Sequence, residues 1–366
     1  MSPTRSGRGP TRRALLTAAA AAGAAAALGT TARAATPRAT AETSTDVHIF
    51  YYPWYGSPKA NGSYRHWPQG NLTPPDGISS NFYPVLGAYD SGDSAVVAQH
   101  MAWLRQAGTG VLVTSWWGRG SYEDQRVPLL LDRAAGQGLK VAFHIEPYTG
   151  RTAASVAADV RYLTGAYGGH AAYFRDAAHG DRGAFYVFQS LDIADWSPIE
   201  QLKSDAIVLT QTTDVSKAAH FGGMYTYDGI AAARLPDWSG VDRFCRANGL
   251  VWSPSFGPGY LDDRAVPGNT TPTVERADGT TYDAVWQHAI TSGDGGAAPE
   301  WVSITSFNEW HEGSQIEPAT GTPPTSPVTY QTYEGAYGRT GAAATTAYLD
   351  RTRYWVERYT AARRGA

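Results

Sequence analysis

Short runs of aliphatic, β-branched and aromatic residues recur from Asp46 onward and alternate with segments of helical periodicity. Eight of these runs are predicted as strands: Val47–Tyr52, Gly110–Trp116, Lys140–Ile145, Ala184–Gln189, Ala206–Gln211, Gly222–Tyr227, Leu250–Ser255 and Trp301–Ser306. Several are apolar at every position, which is typical of parallel strands buried on both faces. Strands alternating with helices in this number predict an α/β fold, a single (β/α)8 TIM barrel over residues 47–362. A doubly wound sheet is the alternative, but no Gly-x-Gly-x-x-Gly follows the first strand.

The clearest predicted helix begins after Asp93 or Ser94 and ends at Gly108, with Val97, Met101 and Leu104 on one face. Three further segments are predicted as helices: Val127–Gln137, Asp242–Asn248 and Gly341–Arg363. In a barrel, the loops that follow the strands carry the chemistry. Here those loops are long and rich in Tyr and Trp, which predicts an open substrate groove.

The first 34 residues have the pattern of an export signal. Arg12 and Arg13 precede an Ala-rich apolar run that ends at Leu28, and a small-residue cleavage site follows at 32–34. The arginine pair indicates the twin-arginine route, and an ordinary secretory signal is the alternative. Residues 35–46 are small and polar and are predicted to be a flexible tether. We expect a secreted protein with no membrane segment in its mature form.

Composition narrows the function. The full chain of 366 residues has 30 basic and 33 acidic side chains, and the signal contains five arginines and no acidic residue. The mature chain therefore carries a net charge of about −8, which argues against nucleic acid as a partner. One cysteine excludes a disulfide framework and a cysteine-based zinc site. Aromatic residues reach 12%, which suits an aromatic-lined groove but is equally consistent with a large core.

The strongest candidate for catalysis is the pair Glu309 and Glu312, three residues apart after the last predicted strand. A helical turn would point both carboxylates to one side of a cleft. Glycoside cleavage needs such a pair, one protonated and one ionised. Asn308 could bind a sugar hydroxyl, and Trp310 and His311 favour a site. The alternative is that both glutamates complement the dipole of a helix in its first turn.

His144 and Glu146 lie two apart on a predicted strand, so both are expected to face the barrel interior. They fit a metal-ligand pair, a sugar-binding pair or a structural polar patch. No His-x-His or His-Glu-x-x-His motif accompanies them, so no metal and no cofactor are predicted. A nucleophilic serine or cysteine is not indicated either, because no Gly-x-Ser-x-Gly elbow is present.

Aromatic residues cluster where the predicted strands end, and sugar rings pack their C–H faces on such surfaces. Taken singly, these residues are more typical of a core. Their clustering supports a ligand site. The residues predicted to contact a sugar chain are Tyr51, Tyr52, Trp54, His66, Trp116, Trp117, His144, Glu146, Tyr227, Tyr260, Asn308 and Trp310.

Several longer motifs, in order along nearly the whole mature chain, carry a resemblance to a known family. They are FYYPWYG (50–56), HWPQG with NFYPVLGAYDSGD (66–93), GVLVTSWW (110–117), KVAFHIEPY (140–148), GGMYTYDG (222–229), PSFGPGY (254–260) and ITSFNEWHEGSQIEPA (304–319). The chain resembles glycoside hydrolase family 99, the endo-α-1,2-mannosidases and endo-α-1,2-mannanases.

The resemblance implies a (β/α)8 barrel and an endo-acting retaining glycosidase without a catalytic metal. By this resemblance, Glu309 acts as base on the 2-hydroxyl of the substrate, which attacks C1 to form a 1,2-anhydro sugar. Glu312 protonates the leaving oxygen and then activates water. This route differs from the usual covalent glycosyl-enzyme.

The resemblance also places Trp117 in the subsite one sugar beyond the cleaved residue, where it favours mannose over glucose. Glu146, Tyr51 and Tyr227 match positions that line the groove. The expected substrate is α-mannan or a mannose-rich glycan, cleaved by a monomer. Two alternatives remain open: a glycan-binding protein without catalysis, and a conventional retaining glycosidase that uses Glu146 with Glu309.

Overall fold

The computed structural model describes residues 42–69, 72–227 and 235–365, and the predicted signal and residues 35–41 of the predicted tether lie outside them. Within the described residues, nine strands form one sheet in which every pairing is parallel. The strands are β1 Ser44–Tyr51, β2 Thr109–Trp116, β3 Lys140–Ile145, β4 Gly183–Val187, β5 Ala206–Gln211, β6 Gly223–Tyr225, β7 Val251–Ser253, β8 Ser255–Phe256 and β9 Val302–Ile304. Their order is β7-β6-β5-β4-β3-β2-β1-β9-β8.

The sheet closes through an interruption at Pro254. The segment predicted as one strand, Leu250–Ser255, is split there into β7, which pairs with β6, and β8, which pairs with β9. Proline has no N–H to donate, but its carbonyl accepts a hydrogen bond from the Ser303 N–H at 3.0 Å. The Trp301 N–H likewise donates to the Trp252 carbonyl at 3.2 Å. β7 and β8 therefore occupy one position between them, and the predicted eight-stranded barrel is confirmed.

The helices lie outside this barrel. They are α1 Pro58–Asn61, α2 Ser94–Ala107, α3 Val127–Ala135, α4 Ala153–Tyr167, α5 Ser239–Ala247, α6 Thr280–Thr291, α7 Ala342–Thr345 and α8 Ala347–Arg364. The predicted helix after Asp93 is confirmed, with the Asp93 side chain accepting from the Ala95 N–H at 2.8 Å. Short 3₁₀ turns, the longest at Ser197–Leu202, replace full helices between β4 and β5. The βα alternation is therefore incomplete on that side of the barrel.

The start of β1 corrects the predicted domain boundary. Ser44 pairs with Thr109 of β2, and the Ser44 N–H donates to the Gly108 carbonyl at 2.9 Å. The prediction of a tether up to residue 46 is therefore wrong for its last three residues. The sequence did not indicate this extension because its residues are polar. β1 begins partly exposed and becomes buried only from Val47 onward.

The barrel interior and the layer between sheet and helices form one continuous apolar core. β2 is buried at all eight positions, and β4 at all five. Among the described residues, no helix is both long enough and apolar enough to cross a membrane.

Candidate active site

Glu309 and Glu312 lie on the segment that follows β9, in a turn rather than in the helix that the sequence suggested. The Ser306 hydroxyl accepts a hydrogen bond from the Glu309 N–H at 2.7 Å. A carboxylate oxygen of Glu309 accepts from the His311 N–H at 3.2 Å. Glu309 is 4% exposed and Glu312 is partly exposed. The alternative of two glutamates that complement a helix dipole is thereby excluded, since no helix forms here.

Burial shifts the titration of both carboxyl groups. It raises the pKa of Glu309 well above its ordinary value, and the nearby charges of Glu312 and then Glu146 raise it further. Burial also raises the pKa of Glu312 to about 7, against a hydrogen bond from Tyr227 that lowers it. Two carboxyl groups that interact in this way lose their protons in two steps. The pair therefore keeps a proton near neutral pH, as an acid and a base sharing one site require.

The turn that carries Glu312 closes at Gly313, which has a φ of 59°. A Cβ atom at this position would lie 2.9 Å from the Leu261 carbonyl oxygen. The same residue, Leu261, donates its N–H to the Glu312 carbonyl at 2.7 Å. Only glycine accommodates both this backbone conformation and the close approach. The loop after β8 thus fixes the backbone next to Glu312.

Two tyrosines reach the carboxylate pair from other strands. The Tyr227 hydroxyl, beyond β6, donates to Glu312 Oε2 at 3.3 Å. Tyr52, directly after β1, forms a short hydrogen bond with the Tyr227 hydroxyl. Tyr260 is half-buried, donates to Asp262 Oδ2 at 2.8 Å, and feels the charge of Glu312. The sequence predicted all three tyrosines, and the structure brings them together around Glu312.

The Asn308 side chain is bonded inside the protein. Its Oδ1 accepts from the Tyr52 N–H at 2.7 Å, and its Nδ2 donates to the Tyr52 carbonyl at 2.9 Å. Nδ2 also lies 3.2 Å from the Tyr89 hydroxyl. The side chain is fully buried, and these contacts join the segment of Glu309 to the end of β1. The contact of Asn308 with a sugar hydroxyl stays a prediction.

Trp310 also faces the protein and not the groove. Its indole N–H donates to Glu317 Oε2 at 2.8 Å, and the Tyr89 hydroxyl donates to the same oxygen at 2.9 Å. The other oxygen of Glu317 lies 3.2 Å from His100 Nε2 on α2. Glu317 is fully buried. Its carboxylate therefore connects the turn that carries Glu309 and Glu312 to Tyr89 and to α2, a role that the sequence analysis missed.

Three other predicted residues are buried away from the groove. Tyr51 points to the opposite face of β1 from Tyr52, and its hydroxyl lies 2.9 Å from His100 Nδ1. Trp116 is fully buried and donates its indole N–H to Asp124 Oδ1 at 2.8 Å. His144 is 1% exposed, and its Nε2 lies at hydrogen-bond distance from a tyrosine hydroxyl inside the barrel. The contacts of Tyr51, Trp116 and His144 with substrate stay predictions, and the structure shows these side chains bonded within the protein.

Glu146 lies beside the Glu309 and Glu312 pair. Its charge raises the pKa of Glu309 and Glu312. His144 Nδ1 is 3.2 Å from Glu146 Oε1, and His144 Nε2 is 3.0 Å from the Tyr225 hydroxyl. The predicted orientation of His144 and Glu146 to one side of β3 is confirmed. His144 thus supports Glu146 from within the barrel.

A groove beside Glu309 is lined by Trp54, His66 and Trp117. The Trp54 and His66 rings stack at 4.0 Å between centroids, and both line a cavity of about 410 Å³ together with Trp117. On its other side, Trp117 borders a second cavity of about 640 Å³ that includes Tyr148. The indole N–H of Trp54 is buried without a partner among the described residues. These side chains suit the apolar faces and hydroxyl groups of a sugar.

The sequence analysis predicted His311 to be a neighbour of the site but not one of its binding residues. It is 5% exposed and stacks on His66 with ring centroids 4.4 Å apart. The ligand atoms of His66, His311 and Glu309 lie within 4.8 Å of one another, close enough to hold a metal ion. A second such group, Asp176, His179 and Glu300, lies away from the groove residues described above. The expectation that catalysis needs no metal stays a prediction.

A barrel whose strand ends hold a buried carboxylate pair beside an aromatic groove is the arrangement of a glycosidase. Residues 43–361 match the sequence model of Glycosyl hydrolase family 99. The chain belongs to this family. The match spans nearly all described residues and confirms the resemblance that the ordered motifs indicated.

Named relatives of this family member agree with the assignment. The human glycoprotein endo-alpha-1,2-mannosidase-like protein is 36% identical over 86% of this chain and 76% of its own length. The mouse glycoprotein endo-alpha-1,2-mannosidase is 34% identical over 86% of this chain and 74% of its own length. The solved GH99 endo-alpha-mannosidase of Bacteroides thetaiotaomicron is 33% identical, with a TM-score of 0.77 over 88% of this chain and 99% of that one.

Proposed function

We propose that this family 99 hydrolase is a secreted, retaining endo-α-1,2-mannosidase that cleaves internal bonds of α-mannan or of mannose-rich N-glycans. The observation that carries the proposal is the Glu309 and Glu312 pair, whose carboxyl pKa values are both raised, at the end of an aromatic groove. Relatives that are named endo-alpha-1,2-mannosidases support the choice of bond. An open groove, bordered by two cavities of about 410 and 640 Å³, suits a polymer better than a single terminal sugar.

The two carboxyl groups have different tasks in the proposed reaction. Glu309 accepts the proton of the substrate 2-hydroxyl while that oxygen attacks C1, and Glu312 donates a proton to the leaving oxygen. The axial 2-hydroxyl of an α-mannoside stands opposite the leaving group, which is the geometry that this attack needs. Glu312 then removes a proton from the water that attacks C1 of the 1,2-anhydro sugar. As the C1–O2 bond breaks, Glu309 returns its proton to O2, so both groups regain their starting states.

The proposed roles fix where the proton of the pair must lie. Burial raises the pKa of both carboxyl groups, so the pair can hold a proton. The proposed roles require that this proton lies on Glu312 when the 2-hydroxyl approaches Glu309. The hydrogen bond that this hydroxyl donates favours ionised Glu309, which is the required state.

Export is part of the proposal. Arg12 and Arg13 before the Ala-rich run support removal of residues 1–34 at the membrane and release of the mature enzyme. We expect this enzyme to be a monomer. A net charge of about −8 suits a neutral polysaccharide substrate and gives no attraction to nucleic acid. Mass spectrometry of the secreted protein would show an N-terminus near residue 35. A protein that keeps Met1 and stays inside the cell would contradict this part.

Product analysis tests the activity itself. The purified mature protein is incubated with yeast-type α-mannan and, separately, with a glucosylated mannose-rich glycan. The masses of the released products are then measured by mass spectrometry. An endo-acting enzyme releases a disaccharide or a longer oligosaccharide. Release of mannose alone, or no release from either glycan, would refute the endo assignment. The ratio of the two reactions measures the proposed preference of the Trp117 subsite for mannose.

A conventional retaining glycosidase is the second candidate function. It is supported by the position of Glu146, whose charge acts on Glu309. In that reaction Glu146 would be the nucleophile. Glu146→Gln separates the two candidates. A modest loss of kcat/KM supports the proposed roles, whereas a complete loss of turnover supports a covalent intermediate on Glu146. A protein that binds the glycan and never cleaves it would favour a binding function instead.

A further inference from the structure

His311 is a buried ring without internal partners. It is 5% exposed, and neither Nδ1 nor Nε2 has a hydrogen-bond partner among the described residues. An unpaired buried polar group costs about 1–3 kcal/mol, so its persistence calls for a partner from outside the chain. Imidazole nitrogens are common metal ligands, and both nitrogens of His311 are left without a partner among the described residues.

His66 is held directly against this ring. The backbone of His66 has a φ of 63°, which is uncommon for a residue with a side chain. In that conformation its imidazole lies between the Trp54 ring, at 4.0 Å, and the His311 ring, at 4.4 Å. Two imidazole rings therefore lie stacked beside Glu309.

We propose that His66, His311 and Glu309 form a binding site for a divalent transition-metal ion such as Zn²⁺, and that an ion bound there stops turnover. The ligand atoms of the three residues lie within 4.8 Å of one another. Two imidazoles and one carboxylate suit zinc, nickel, copper or iron rather than magnesium or calcium, which prefer oxygen ligands. An ion on Glu309 takes the lone pair that the reaction needs as base, so it acts as an inhibitor.

The second group of possible ligands differs in one decisive respect. In Asp176, His179 and Glu300, the imidazole already has partners on both sides. His179 Nδ1 is 2.8 Å from Asp176 Oδ2, and Nε2 is 3.4 Å from Glu300 Oε1. This cluster is therefore satisfied internally and serves as the matched control for the first.

Direct binding is the first test. Mature protein without an affinity tag is titrated with ZnCl₂ by calorimetry, and with CoCl₂ while its visible absorption reports the ligand field. One bound ion per chain is expected. His311→Ala and His66→Ala should each weaken zinc binding by at least about 10–100-fold. That is the loss caused by mutating a residue that only hydrogen-bonds a metal ligand, and removal of a ligand itself should cost no less. His179→Ala should bind zinc as the wild type does.

Three results would overturn the site. They are no zinc uptake by the wild type, uptake that survives both His311→Ala and His66→Ala, and uptake that is lost in His179→Ala. Thermal unfolding confirms that the variants fold, and His66→Ala guards against a misfolded His311→Ala because His66 is partly exposed. Inhibition is tested separately: ZnCl₂ should abolish turnover of the wild type, and EDTA should restore it. Full turnover with zinc bound would refute the inhibitory role.

Discussion

The Tyr227 hydroxyl donates a hydrogen bond to Glu312 Oε2 at 3.3 Å and joins a catalytic candidate after β9 to a residue beyond β6. This bond lowers the pKa of a carboxyl group that burial otherwise raises. The balance between the two effects sets the pKa at about 7. Tyr227 therefore controls the pH range in which Glu312 carries its proton.

Tyr227→Phe is expected to move the pH profile. Without the donor, the ionised form of Glu312 loses a stabilising contact, so the pKa of Glu312 rises above about 7. The limb of the kcat/KM profile that Glu312 controls should then move to higher pH, measured on a defined α-1,2-mannooligosaccharide. Tyr260→Phe is the control, because the Tyr260 hydroxyl bonds Asp262 and not Glu312. An unmoved limb in Tyr227→Phe would contradict this role.

Glu309→Gln and Glu312→Gln should each abolish proton transfer at one position. We expect kcat to fall by about 10²–10⁴-fold in each variant, because an amide neither accepts nor donates the required proton. Glycan affinity, measured by calorimetry, should change little, since the amide keeps the shape and polarity of the side chain. A variant that retains wild-type kcat would remove its residue from the reaction.

Glu317→Gln should weaken the support of the catalytic turn. An amide cannot accept hydrogen bonds from Trp310, Tyr89 and His100 together, and each unpaired buried donor costs about 1–3 kcal/mol. Urea unfolding should show that the free energy of unfolding falls by at least about 1–3 kcal/mol, and kcat should fall as well. Glu334→Gln is the control, since exposed Glu334 accepts only the Gly341 N–H at 2.9 Å. Equal stability of the two variants would exclude the anchoring role.

Gly313→Ala should disturb the backbone next to Glu312. A left-handed conformation costs a residue with a side chain about 1–2 kcal/mol, and here the Cβ would also lie 2.9 Å from the Leu261 carbonyl oxygen. Gly150→Ala isolates the first effect, because Gly150 has a φ of 79° and no atom within 4 Å of a new Cβ. Unfolding and kcat of both variants are compared. Gly313→Ala should lose more stability and, unlike Gly150→Ala, should lose kcat.

The sequence by itself determined the barrel, the order of its strands and the catalytic candidates. Apolar runs such as Gly110–Trp116 predict buried strands because burial on both faces excludes polar residues. Glu309 and Glu312 stood out because Trp310 and His311 accompany two carboxyl groups that lie close together after a predicted strand. Tyr52 and Tyr227 were predicted for the groove, since the ends of parallel strands meet at one edge of the sheet.

Only the tertiary structure decided which polar side chains are bonded inside the protein. Asn308 belongs to the segment of Glu309, yet its partner is the Tyr52 backbone, which the fold brings to it from the end of β1. Trp310 bonds Glu317 on the same segment, but the burial of that pair depends on the fold as well. Tyr51 and Tyr52 are adjacent residues of the same type, but side chains alternate along a strand. Tyr51 therefore contacts His100 on α2, whereas Tyr52 contacts Tyr227, which bonds Glu312. Hydrogen bonds across more than 200 residues have no local pattern, so the sequence marks the site but cannot separate the residues that bind from those that hold them in place.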